Sequence, residues 1–145
     1  MGPAAILPLN LKEEENLNGT EITRGYQDQL AQQILEQPGP QPSYSPLPIS
    51  RPLAKALLQK AIRRGEEQLA QRAAATLLAI APDGFWRRAV IIAAEDIGVA
   101  DVEVVGLVTA AARAGKRWRA QLGGEHVVGH FIVSLMVASD RRRCT

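Results

Sequence analysis

A chain of 145 residues, 46% hydrophobic and only 4% aromatic, is long enough for one core and too short for several. Its single cysteine, Cys144, excludes an internal disulfide, so a reducing compartment is expected. The net charge of +2 is unevenly divided: residues 1–50 hold two Lys/Arg against six acids, and residues 51–145 hold fifteen against nine.

Met1 to Leu9 is short, uncharged and broken by Pro3 and Pro8, so it does not read as a secretory signal. No apolar run reaches bilayer length, and a cytoplasmic protein is the expectation. After the acidic run Glu13–Glu15, Thr20 is placed to cap a helix over residues 21–36. Its stripe of Tyr26, Leu30, Ile34 and Leu35 is narrow, so this helix docks on something or frays. Gln37 to Pro48 holds five prolines and reads as a linker. Residues 1–49 thus form an acidic, partly disordered arm.

The folded body is read as residues 50–145. Ser50 caps a helix with Pro52 in its first turn and a stripe from Leu53 to Ile62, ended by Gly65. Glu66 and Glu67 start an antiparallel second helix reaching Ile80. Asp83 is placed to cap a third, in which Phe85, Ala89, Ile92, Ala93 and Ile97 recur at helical spacing. Val90, Ile91 and Ala94 widen that stripe, so the helix is expected to be central and buried on most sides. Gly98 ends it. Asp101 caps a fourth helix running to about Ala114 and stopped by Gly115. Lys116–Arg119 is a basic continuation bearing Trp118, Gly123-Gly124 is a turn, and Glu125 opens a fifth helix. The expectation is an all-α bundle of about five helices.

Two stretches carry a family resemblance. They are Leu58-Gln59-Lys60-Ala61-Ile62-Arg63-Arg64-Gly65-Glu66 and Arg87-Arg88-Ala89-Val90-Ile91-Ile92-Ala93-Ala94-Glu95-Asp96-Ile97-Gly98-Val99-Ala100-Asp101. With the Ala/Leu-rich helix between them, they resemble the C-terminal helical region of the replication-associated recombination protein A family, AAA+ ATPases of the clamp-loader clade. The resemblance covers about residues 50–114. It implies the plan of a clamp-loader collar, which in that family assembles subunits close to DNA. The chain departs from the family in having no phosphate-binding loop, in Val102 where the family usually has Pro, and in Gly129 and His130 of the fifth helix. The resemblance therefore implies a collar without a motor, with self-association or an AAA+ ATPase as partner and no cofactor of its own.

Each charged group has a plain structural role as its alternative. Glu95 and Asp96 are adjacent and point about 100° apart on a helix, so they do not converge as a general acid and base. They are expected to bind Arg side chains or backbone amides. Because they oppose the helix dipole, Arg87 or Arg88 of another subunit is a candidate partner. Arg87, Arg88, Glu95, Asp96 and Asp101 form the candidate assembly set. Arg113, Lys116, Arg117, Trp118 and Arg119 form the candidate nucleic-acid set, cations for phosphates and Trp118 to stack on a base. The structural alternative is a solvated helix end with Trp118 anchored in the core. His126 and His130, four apart, share a face but lack the further ligands a metal needs. Cys144 lacks an oriented base, so no catalytic residue, metal or small-molecule substrate is assigned. The leading expectation is a non-enzymatic assembly module working near DNA in replication or repair. The alternative is a DNA-binding accessory protein.

Overall fold

In the computed structural model the described residues are 11–37, 39 and 41–144, with side chains described between residues 19 and 140. The reading of Met1–Leu9 as a non-signal segment, and that of the Cys144 side chain, lie outside them. The chain is all-α. Its helices are α1 (Leu11–Leu35), α2 (Arg51–Arg63), α3 (Glu67–Ile80), α4 (Pro82–Ile92), α5 (Val102–Ala114), α6 (Lys116–Gln121) and α7 (Glu125–Cys144). Among the described residues no helix is long and apolar enough to cross a membrane.

The predicted stops operate as expected. Gly65, Gly98 and Gly115 all take positive φ (70°, 52° and 89°), where a side chain would be strained. Two of the predicted starts hold: the Ser50 hydroxyl accepts from the Leu53 amide at 3.4 Å, and Asp101 accepts from the Val104 amide at 3.3 Å. Two do not. Thr20 lies inside α1, which begins nine residues earlier at Leu11. Asp83 lies in the first turn of α4, whose N-cap is Ala81 with Pro82 at the first helical position. Proline has no amide to leave unsatisfied there, so that helix starts without a side-chain cap.

Small residues set the packing. Ala70, Ala73 and Ala74 of α3 are fully buried, and their short side chains let α2 and α7 approach closely. At Gly129 of α7 an added Cβ would lie 2.8 Å from Leu78, so a larger residue there would have to displace that side chain. Phe85, Ala89, Ile92, Ala93 and Ile97 form the buried stripe of the α4 region, as their spacing predicts. The wider stripe does not hold. Val90 is half-buried, and Ile91 and Ala94 are exposed, because α2, α3, α5 and α7 cover the inner sides and none covers the outer one. The helix also changes pitch: Ala93–Ile97 forms a π turn and Gly98–Asp101 a 3₁₀ turn before α5.

The proline-rich segment lies against the body. Arg72 Nε donates to Ser45 O at 3.0 Å, the Leu47 amide donates to Thr76 Oγ1 at 2.8 Å, and the Tyr44 ring sits 4.8 Å from that of His130. Residues 41–49 therefore run as an extended strap over α3 and α7.

Candidate interaction groove

The two candidate sets predicted from sequence are redistributed by the fold. Arg119 is buried, 5% exposed, and does not belong to a surface cluster. Its Nε and Nη2 donate to Glu125 Oε1 at 3.1 and 3.0 Å. Its Nη1 donates to the carbonyl of Ala111 at 2.9 Å and to that of Ala112 at 3.4 Å. Those carbonyls belong to the last turn of α5, where no intrahelical donor remains, so Arg119 acts as its C-terminal cap. The guanidinium also lies 4.5 Å over the Trp86 ring, whose Nε1 donates to Glu125 Oε2 at 3.0 Å. Each guanidinium nitrogen donates within the chain and the side chain is buried, so Arg119 is unavailable to phosphate. Trp118 packs half-buried against the core, which is the anchoring alternative weighed from sequence. Arg113, Lys116 and Arg117 remain exposed at the α5–α6 junction.

The assembly set divides similarly. Asp96 pairs with Arg63 of α2 at 3.3 Å and also accepts from Gln59 Nε2 at 3.2 Å. Glu95 accepts from the same amide at 3.1 Å. The cation expected from a second subunit is thus supplied within the chain, by an arginine that the α2–π-turn packing brings across. Arg88 donates to Gln59 Oε1 at 3.2 Å and belongs to this network. Asp101 caps α5 and accepts from the Ser139 hydroxyl at 2.9 Å, tying the start of α5 to α7.

Arg87 and Arg113, one from each set, come together. They flank a groove of about 550 Å³ between α4 and the α5–α6 turn. Trp86, Val90, Ile91 and Ala112 give it an apolar lining, Arg119 lies beneath the indole, and Asp83 stands at one edge. Ile91 is 39% exposed there. A concave apolar surface with a few fixed charges can hold an apolar side chain and orient it by an acid. Sequence reasoning missed the groove because Val90 and Ile91 read as core. The signal available was that the apolar residues of this helix run nearly all the way round it, more than one neighbour can cover.

The histidines do something else. His130 is buried, and its Nδ1 lies 2.5 Å from Gln71 Oε1. Gln71 Nε2 donates to the His130 carbonyl at 3.0 Å and to Ser134 Oγ at 2.9 Å, and Ser134 donates to Glu67 at 3.2 Å. Burial, reinforced by the nearby His126, lowers the His130 pKa to about 4. His130 is therefore neutral at pH 7 and links α7 to α3. Among the described residues no three His, Cys, Asp or Glu side chains gather as a metal ion would need. Comparison of the chain with family models, with curated proteins and with solved structures finds no match.

Proposed function

We propose that this chain is a non-enzymatic helical interaction module, collar-like in plan, whose partner surface is the groove between α4 and the α5–α6 turn. The observation that carries the reading is the exposure of Ile91, beside the half-buried Val90, in a groove lined also by the exposed Arg87 and Arg113. Apolar side chains left uncovered beside arginine are the composition of a protein contact. The other charged groups named from sequence on α4 and its π turn are engaged within the chain, which leaves the groove as the outward-facing chemistry of that region. The resemblance of residues 50–114 to a clamp-loader collar supports a second copy or an AAA+ subunit as partner.

The test is the mass in solution by light scattering, for the unmodified chain and for Ile91→Glu. A discrete oligomer that Ile91→Glu dissociates, at unchanged melting temperature, is the expected outcome. An oligomer indifferent to Ile91→Glu moves the contact elsewhere. A monomer indifferent to concentration ends the self-assembly reading. The second reading, DNA binding, is favoured by the exposure of Arg113, Lys116 and Arg117 at one helix junction. It requires an affinity that falls steeply with salt and weakens when these three are replaced.

A further inference from the structure

The most exposed large apolar side chain among the described residues is Val99, 95% exposed, on the 3₁₀ turn that joins the π turn to α5. Ala100 beside it is exposed, and Val102, the first residue of α5, is 59% exposed. This knob is held from both sides. Before it, Ile97 is buried in the core and Gly98 turns the chain at φ 52°. After it, Asp101 accepts from the Val104 amide at 3.3 Å and from the Ser139 hydroxyl at 2.9 Å. Two exposed valines on a fixed turn are a preorganised contact, because little freedom is lost when they are covered.

The charge around the knob is acidic. Glu95-Asp96-Ile97-Gly98-Val99-Ala100-Asp101-Val102-Glu103 holds four acids and no Lys or Arg. Asp96 is answered by Arg63. Glu95 and Glu103 are exposed, accept from the neutral amides of Gln59 and Gln29, and so keep their charge. The groove has the opposite sign. Its apolar floor of Trp86, Val90, Ile91 and Ala112 lies among Arg87, Arg113 and Arg119, against the single acid Asp83. Knob and groove also stand apart. Val102 opens α5 and Ala112 lies close to its end, about 15 Å away along the axis, so a chain's knob cannot fill its own groove.

From the convex acidic knob and the concave basic groove, we infer that the occupant of the groove is the Val99–Val102 knob of a second copy of this chain. Val99 and Val102 cover Val90 and Ile91, and Glu103 turns towards Arg87 and Arg113. This rests on the reading of the groove as the partner surface, and adds which surface meets it. The contact joins two different faces, so each copy gives one knob and receives one. It is unlike a self-complementary contact, in which groove would meet groove.

The test uses two variants of the full chain, Val99→Glu, which spoils the knob, and Ile91→Glu, which spoils the groove. Light scattering reads the mass, and the melting temperature checks the fold. Val99 is nearly all in water, so its replacement leaves the bundle intact. Each variant alone is expected to be a monomer at concentrations where the unmodified chain is assembled. An equimolar mixture is expected to give a species of twice the monomer mass, because the groove of the Val99→Glu copy still receives the knob of the Ile91→Glu copy. An oligomer that survives Val99→Glu but is dissociated by Ile91→Glu would overturn the inference, while leaving the groove as the partner surface. So would a mixture that stays monomeric, as it must if groove meets groove. An unmodified chain that is monomeric at every concentration ends both readings.

Discussion

Two corners of the bundle pair an arginine with a carboxylate, and they differ in surroundings rather than in chemistry. At the Arg63–Asp96 corner the pair is 3.3 Å apart, with the arginine side chain 60% exposed. At the Arg119–Glu125 corner the separation is 3.0 Å, and the side chains are 6% and 17% exposed. In the first, water competes for the arginine, while the Asp96 side chain is 12% exposed, so the two corners differ in the burial of the cation. The second is closed by Trp86 and by the end of α5, so each ion depends on the other and on the carbonyls around it. Arginine at a helix end has opposite meanings in the two places, one a screened surface contact and the other part of the frame that shapes the groove.

The sharpest way to break the comparison is to remove each cation. Arg119→Ala strips Glu125 of its partner, uncaps α5 and removes the stack on Trp86. A loss of about 3–5 kcal/mol is expected, the range for breaking one side of a buried pair. Urea denaturation measures it. Arg63→Ala in the same assay should cost less than about 1 kcal/mol. Equal losses at the two corners would mean that burial is not what distinguishes them.

A buried polar group without a charge sharpens the same point. His130 is held neutral, with its folded pKa lowered to about 4 from an ordinary 6.5. The unfolded chain therefore binds a proton that the folded chain refuses. The stability this contributes is fully present above pH 6.5, and is lost as pH falls from 6.5 towards 4. The ionisable neighbours are His126, which shares the face of α7, Tyr44, whose ring is tilted 46° to that of His130 at 4.8 Å, and Glu67 reached through Gln71 and Ser134. Between pH 7.5 and pH 5 the expected loss is roughly 2 kcal/mol, and His130→Gln should flatten that slope. A stability profile over this interval that is unchanged by His130→Gln would show that the proton goes elsewhere.

The same contrast explains what the sequence could reveal. Helical spacing and glycine stops located the five bundle helices, because both are local properties of the chain. The role of Asp101 as a cap was also legible, since an N-cap bonds an amide three residues on. Arg119 was misread because Lys116–Arg119 looks like one basic run. Only the turn at Gly123-Gly124 brings Glu125 back to it, and only the end of α5 supplies the carbonyls. Val90 and Ile91 were misread for the converse reason. Their apolarity was visible, but which face of the helix lacks a neighbour is a property of the whole fold. Each error concerns what lies across from a residue, and periodicity along one element does not encode that.

The smallest expected effect comes from the carboxylate of the exposed corner. Asp96→Asn keeps the size of the side chain and its capacity to accept from Gln59, and removes only the ionic part of the contact with Arg63. The cost should fall below about 1 kcal/mol, and should shrink further in high salt because Arg63 is largely in water. Oligomeric state should not change, since the partner of Asp96 belongs to the same chain. Thermal unfolding at two salt concentrations, with light scattering alongside, reads both. A dissociated oligomer would restore the reading in which Asp96 meets an arginine of a second copy, and the exposed corner, not the groove, would then be the assembly surface.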